Sequence, residues 1–296
     1  MLRKCESPWR LAYDCRTVDD RHDRPILTAP LFEELDGKLV ELLESLAPDE
    51  WRLPTIVPRW TVKQIAAHLL DTALRRLSLV RDQEPAPAVA ITSDRDLAAF
   101  VNGLNAKGVE VYGSLSPRVL VAVTRLVVND LHVYLSSLDP IAPAPWAVSW
   151  AGERQSENWF DLARELTERW HHQQQIRLAV GRPGIMTPRL YGPVLECFMR
   201  ALPYAYRNVP APPGTVCKVV VAGDCGGEWF IRRDDGGWAF ATTGEASIQA
   251  SATIPQELAW RIFTKGLAPS EARPHVALAG DERLAAAVLD MIAIVA

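Results

Sequence analysis

The chain of 296 residues carries 32 Lys and Arg against 36 Asp and Glu, a formal net charge of −4, with 48% hydrophobic and 23% charged residues. That balance excludes wholesale disorder and argues against a nucleic-acid binder, whose footprint would be basic. The length suits about two domains. The five cysteines, Cys5, Cys15, Cys197, Cys217 and Cys225, are odd in number and lack CxxC spacing. This points to free thiols in a reducing cytoplasm rather than to a disulfide framework or a zinc ribbon. No uninterrupted apolar run approaches the roughly 18 residues of a membrane span, so no membrane is expected.

Residues 1–24 have no apolar core of a signal peptide and are predicted to form a polar, extended tail. A first helix follows, with Leu31, Leu35, Leu39, Leu42, Leu43 and Leu46 at helical spacing. The second begins just after Thr61, because Thr61 and Gln64 have capping-box spacing. Its apolar stripe is Val62, Ile65, Leu69, Ala73 and Leu77. A proline-bearing insertion comes next, with a short helix expected near Leu97. The third long helix is introduced by Ser116 and Pro117. A proline-rich crossover carrying Trp146 and Trp150 leads to the fourth, which Gly181 and Pro183 end. A fifth helical stretch runs over residues 187–206. Beyond Pro210, Pro212 and Pro213 the pattern changes to short strands separated by Gly-rich turns, with a hairpin expected at 234–237. Residues 281–295 read as a closing helix. The fold class is therefore α+β in two domains: a tail over 1–24, an antiparallel four-helix bundle over 25–207 and a small α+β domain over 208–296.

The fourth helix carries more polar chemistry than its core requires. Projected on a wheel, Trp159, Leu162, Leu166 and Trp170 form the core stripe, while Glu165, Glu168, His172 and Ile176 form a neighbouring one. Glu168 and His172 are four apart and can point at a common atom. His171 falls about a quarter-turn away and is expected to point elsewhere, which leaves it a fallback ligand. A Glu–His pair at this spacing also suits an ordinary solvated helix edge. A catalytic metal site needs a third ligand and an open position. His68, on a helix otherwise built for burial, is the candidate, although a core histidine with a satisfied partner would read the same.

Two motifs carry a resemblance. The stretch LESLAPDEWRLPTIVPRWTVKQIAAHLLD, with Trp60-Thr61-Val62 leading to His68, resembles the N-terminal signature of the DinB-like superfamily, and within it the mycothiol-dependent maleylpyruvate isomerase branch. The second motif is a ligand, three residues, a histidine, two residues, a polar residue and Ile; here it is Glu168, His172, Gln175 and Ile176. Many superfamily members have His in the first place, and this branch has Glu. The resemblance covers roughly residues 25–205 and implies metal ligation by His68, Glu168 and His172. The C-terminal part is similar to sterol-carrier-protein folds, on a weaker match.

Such a set suits a divalent ion, zinc first, with nickel or iron also compatible. The resemblance implies a low-molecular-weight thiol, mycothiol or an equivalent, as cosubstrate, with an electrophilic small molecule as the other partner. The activity implied is a cis–trans isomerase or a thiol S-transferase. The alternative is a non-catalytic, metal-containing protein that binds a small molecule or a lipid. Gln175 is a candidate for orienting a ligand. Arg232, with Arg75, Arg76 and Arg233, is a candidate for a substrate carboxylate, although solvated surface arginines are the plainer reading. His132 reads as structural, and Trp146 and Trp150 as loop anchors or pocket-mouth residues.

Overall fold

The computed structural model describes residues 24–58, 60–85, 89, 91–242 and 247–295. The expected tail, with Cys5 and Cys15, lies outside the described residues apart from Arg24. Seven helices come first: α1 Phe32–Glu44, α2 Val62–Arg75, α3 Asp94–Gly113, α4 Pro117–Ser137, α5 Asn158–Val180, α6 Pro188–Met199 and the short α7 Leu202–Ala205. Helices α1 and α2 each pack against both α4 and α5, which makes these four the bundle.

The local reasons are the ones the sequence announces. Helix α2 starts where the Thr61 backbone N–H donates to Gln64 Oε1 at 2.8 Å. Helix α5 stops at Gly181, whose φ of 66° is the left-handed conformation glycine adopts without a Cβ penalty. Helix α4 is long and apolar enough to cross a bilayer by length and composition. In this fold it is a bundle member that buries Leu120, Thr124, Val128, Leu131 and Leu135.

Two expectations about helix length are corrected. The insertion does not hold a short helix near Leu97; α3 runs for 20 residues and packs along α2. Gly103 and Gly108 lower its helix propensity and hide it from a sequence reading. Gly108 is there for contact, since a Cβ at that position would lie 2.1 Å from Asp71 Cγ. At the other end, the closing helix expected over 281–295 is only α10, Glu282–Ala286, followed by a tight 3-10 turn to Asp290. The chain then turns back, and the Ala293 N–H donates to Phe263 O at 2.9 Å. The Ile292–Ile294–Val295 run favours that extended ending.

The C-terminal unit is a five-stranded mixed sheet: β1 Val216–Ala222, β2 Gly227–Asp234, β3 Gly237–Phe240, β4 Ala250–Pro255 and β5 Ala277–Gly280. The order is β3-β2-β1-β4-β5, with β1 and β4 parallel and the other neighbours antiparallel. Asp234 pairs with Gly237 across the expected two-residue hairpin. Parallel pairing of β1 with β4 needs a crossover. Helices α8 Gln256–Phe263, α9 Pro269–Ala272 and α10 fill the helical part of this unit.

The two units share one apolar cluster. Trp170 of α5 stacks on Tyr191 of α6 at 4.3 Å and meets Trp260 of α8 edge-on at 6.1 Å. The Tyr191 hydroxyl donates to Gln256 O at 2.8 Å, and the Tyr206 hydroxyl to Leu284 O at 2.9 Å. These contacts fix how α5 is rotated about its own axis, and so which residues it turns toward α2.

Candidate metal centre

Helix α5 is buried on nearly every side, as the central helix of a domain must be. Its apolar stripe, Leu162, Leu166 and Trp170, belongs to the shared cluster. Ile176 belongs to a second apolar cluster with Leu39, Leu43, Val62, Ile65, Leu69 and Leu120. The polar stripe lies along the seam between them, facing α2.

On that seam the structure brings His68 and His172 together. Their rings meet edge-on with centroids 4.6 Å apart. The Trp60 ring covers both, at 5.0 Å from His68 and 6.3 Å from His172. His172 Nε2 lies 3.7 Å from Glu168 Oε2. The other ring nitrogen, Nδ1, bears the proton and donates to Gln175 Oε1 at 2.8 Å, which leaves the Nε2 lone pair turned to Glu168. Gln175 is buried, so it is no solvated edge residue. His68 is 4% exposed, and its Nδ1 is buried without a hydrogen-bond partner.

His171 departs from the wheel expectation. Its Nδ1–H donates to Thr167 O at 2.8 Å, and its Nε2 lies 4.0 Å from Glu168 Oε2. Glu168, His171 and His172 each offer one ligand atom, and those atoms lie within 4.8 Å of one another. A wheel places Cα–Cβ directions only; the side-chain torsions bring the His171 ring beside that of His172, with centroids 4.1 Å apart.

The electrostatics suit a cation. Burial pushes the Glu168 carboxyl up, against the pull of His172 and Arg164. Burial, and then the neighbouring His171, push His172 down to about 3; burial alone lowers His171, to about 4. His68 falls well below its ordinary value, from burial first and His172 second. The imidazoles are therefore neutral donors at neutral pH, as metal ligation requires. Arg164 supports the acidic side: it donates to Asp161 Oδ1 at 2.8 Å and to Glu165 Oε2 at 3.2 Å. Its place one turn before Glu168 is the only sign the sequence gives of it.

The arginines divide. Arg76 is not a surface residue: it is 2% exposed, pairs with Asp161 at 2.6 Å and lies under the Trp146 ring at 5.1 Å. A wide π-helical turn, Arg76–Arg81, follows α2 and begins at this residue. Arg75 binds Asp71 and Asn105. Arg232 is exposed in β2 and pairs with Asp234, while Arg233 donates to Asp234 O. Trp150 is buried against Phe160, so it is an anchor, whereas Trp146 stays half exposed. His132 reaches Glu33 at 4.0 Å.

Residues 32–177 match the family described as mycothiol maleylpyruvate isomerase N-terminal domain. The helical bundle is a domain of that family. Over 219 residues the chain is 28% identical to two uncharacterized proteins of Mycobacterium tuberculosis, one from strain CDC 1551 / Oshkosh and one from strain ATCC 25618 / H37Rv. Each alignment covers 74% of this chain and 80% of the relative. Among solved structures, a point mutant of the mycothiol-dependent maleylpyruvate isomerase superposes with a TM-score of 0.53 at 12% identity, covering 88% of this chain and 95% of the other. The unmodified isomerase gives 0.50 at 13% identity, covering 82% and 90%. At such identities the superpositions speak for the two-domain fold.

Proposed function

We propose that this protein holds a divalent ion, zinc in the first instance, on His68, Glu168 and His172, and uses it for the chemistry of a low-molecular-weight thiol. The observation that carries this reading is the edge-on contact of the His68 and His172 rings, 4.6 Å between centroids, with His68 Nδ1 buried and without a hydrogen-bond partner. A buried polar atom without a partner costs about 1–3 kcal/mol, and a cation shared with Glu168 and His172 would supply the missing interaction. The donor set fits: one carboxylate and two imidazoles are a common catalytic zinc combination that leaves a position free.

When bound, such an ion lowers the pKa of a coordinated thiol and holds it as the nucleophilic thiolate. The protein's own residues prepare the place. Gln175 keeps the proton on His172 Nδ1 and so presents Nε2. Arg164 offsets the charge of Asp161 and Glu165 beside the site, and burial of Asp161, Glu165 and the imidazoles limits water there, while Glu168 stays partly exposed. Trp60 lies against the rings of His68 and His172. By analogy with the mycothiol-dependent maleylpyruvate isomerase, the finer reading is a cis–trans isomerase or an S-transferase acting on an electrophilic small molecule, with mycothiol or an equivalent as the thiol.

Elemental analysis tests the reading. The purified protein should carry about one equivalent of divalent metal and consume thiol with an electrophile such as a bimane. His68→Ala should lose the metal, and Glu168→Gln the turnover. Metal retained in full by His68→Ala would overturn the assignment, and saturable lipid or small-molecule binding without turnover would favour the non-catalytic alternative.

A further inference from the structure

We propose that His171 is a fourth protein donor to the ion, so that the resting site is closed by four side chains and a thiol enters by exchange with the His171 imidazole, whose freed Nε2 receives the thiol proton. This rests on the metal reading above. Three observations carry it. First, the Thr167 carbonyl takes the Nδ1 proton of His171, so Nε2 is the nitrogen with a free lone pair. Second, that Nε2 is 4.0 Å from Glu168 Oε2, close to the 3.7 Å of His172 Nε2 from the same oxygen. An ion bonded at about 2.0–2.2 Å holds tetrahedral donors roughly 3.3–3.6 Å apart, so each nitrogen is within a few tenths of an ångström of the spacing to that oxygen that a shared ion requires. Third, Glu168, His171 and His172 satisfy the mutual spacing of a metal cluster, within 4.8 Å of one another, whereas His68 of α2 lies outside that group and must approach to complete the set.

A purely structural His171 would be content with its bond to Thr167, and would have no reason to present its second nitrogen toward a carboxylate in a buried site. The coordination count then matters. Closed sets of four protein donors are typical of structural zinc, and sets of three with an open position of catalytic zinc. His171 is the natural donor to yield. It directly precedes His172 on one helix, where neighbouring residues do not share a direction, and it stands farther from Glu168.

The test uses the full chain, stripped of metal and titrated with Co(II). The wild type should give the intense visible bands of four-coordinate cobalt. His171→Ala should bind Co(II) at least about 10-fold more weakly, since losing even an outer-shell partner costs 10–100-fold. Its bands should weaken, and added thiol should reach the ion at lower concentration. His171→Cys is the decisive variant: a sulfur-to-cobalt charge-transfer absorption should arise without added thiol, which a structural role for position 171 would not produce. His171→Asn, able to keep the Thr167 bond, serves if the alanine variant fails to fold. Wild-type affinity and spectrum in His171→Ala or His171→Asn, or Co(II) bound by His171→Cys without that absorption, would overturn the proposal. If His68→Ala loses Co(II) while His171→Ala keeps it unchanged, only the fourth donor falls. If the wild type binds no Co(II), the metal reading falls with it.

Discussion

The two sides of α5 make an instructive pair. On one, Trp170 is fully buried, stacked on Tyr191, edge-on to Trp260, with its indole N–H donating to Ile185 O at 3.0 Å. The indole N–H is partnered there, and the gain is cohesion. On the other, two residues away in sequence, buried His172 and partly exposed Glu168 sit beside His68, whose Nδ1 has no hydrogen-bond partner. Apolar packing on the first side holds the helix in the rotation that makes the second side costly. Aromatic packing thus marks the side that holds the fold, and a cluster of ionisable groups the side that has chemistry to do.

The comparison can be broken most forcefully at Trp170. Trp170→Ala should destabilise the protein by about 3–5 kcal/mol, read as a lower denaturation midpoint, through loss of a large buried ring. If stability hardly changes, the division of labour proposed for α5 is wrong. Gln175→Ala should cost less stability, about 1–3 kcal/mol for the His172 Nδ1–H left without an acceptor, while weakening metal binding by about 10–100-fold, as for other residues that orient a metal-bound histidine. An unchanged affinity would remove Gln175 from the site.

Acid should separate the sides as well. The native imidazoles of His171 and His172 titrate near 4 and 3, below the ordinary 6.5. The unfolded chain therefore binds more protons than the native one over that interval, and stability of the metal-free protein falls as pH drops from about 6.5 toward 4. Melting temperatures across that window check it, and a His171→Ala/His172→Ala double variant should show a flatter profile. The smallest effect is expected at Arg232, exposed and paired with Asp234. Arg232→Ala should change stability by no more than about 0.5 kcal/mol, and unchanged thiol turnover would withdraw it as a carboxylate-binding residue.

How much of this was legible beforehand depends on how local each cause is. The start of α2 at Thr61 and the end of α5 at Gly181 were readable because a few neighbouring residues decide them. The approach of residues 68 and 172 was suggested by motif, and the observed ring contact follows from two helices packing face to face. Arg76 looked like a surface residue because its partner Asp161 lies 85 positions away on another helix. The direction of His171 was missed because a wheel has no side-chain torsions, and the length of α3 because glycines that permit close contact also depress helix propensity.

That last glycine has a wider consequence. Asp71 lies three residues beyond His68 on α2, and Gly108 leaves no room beside its carboxylate. Even a methyl group there would have to push the carboxylate off Arg75 or lever α3 away from α2, disturbing the turn that aims His68. Tolerance to mutation should therefore be poor at a position on a helix outside the four-helix core, with no ligand atom of its own. A screen for loss of metal could score it alongside the donors themselves.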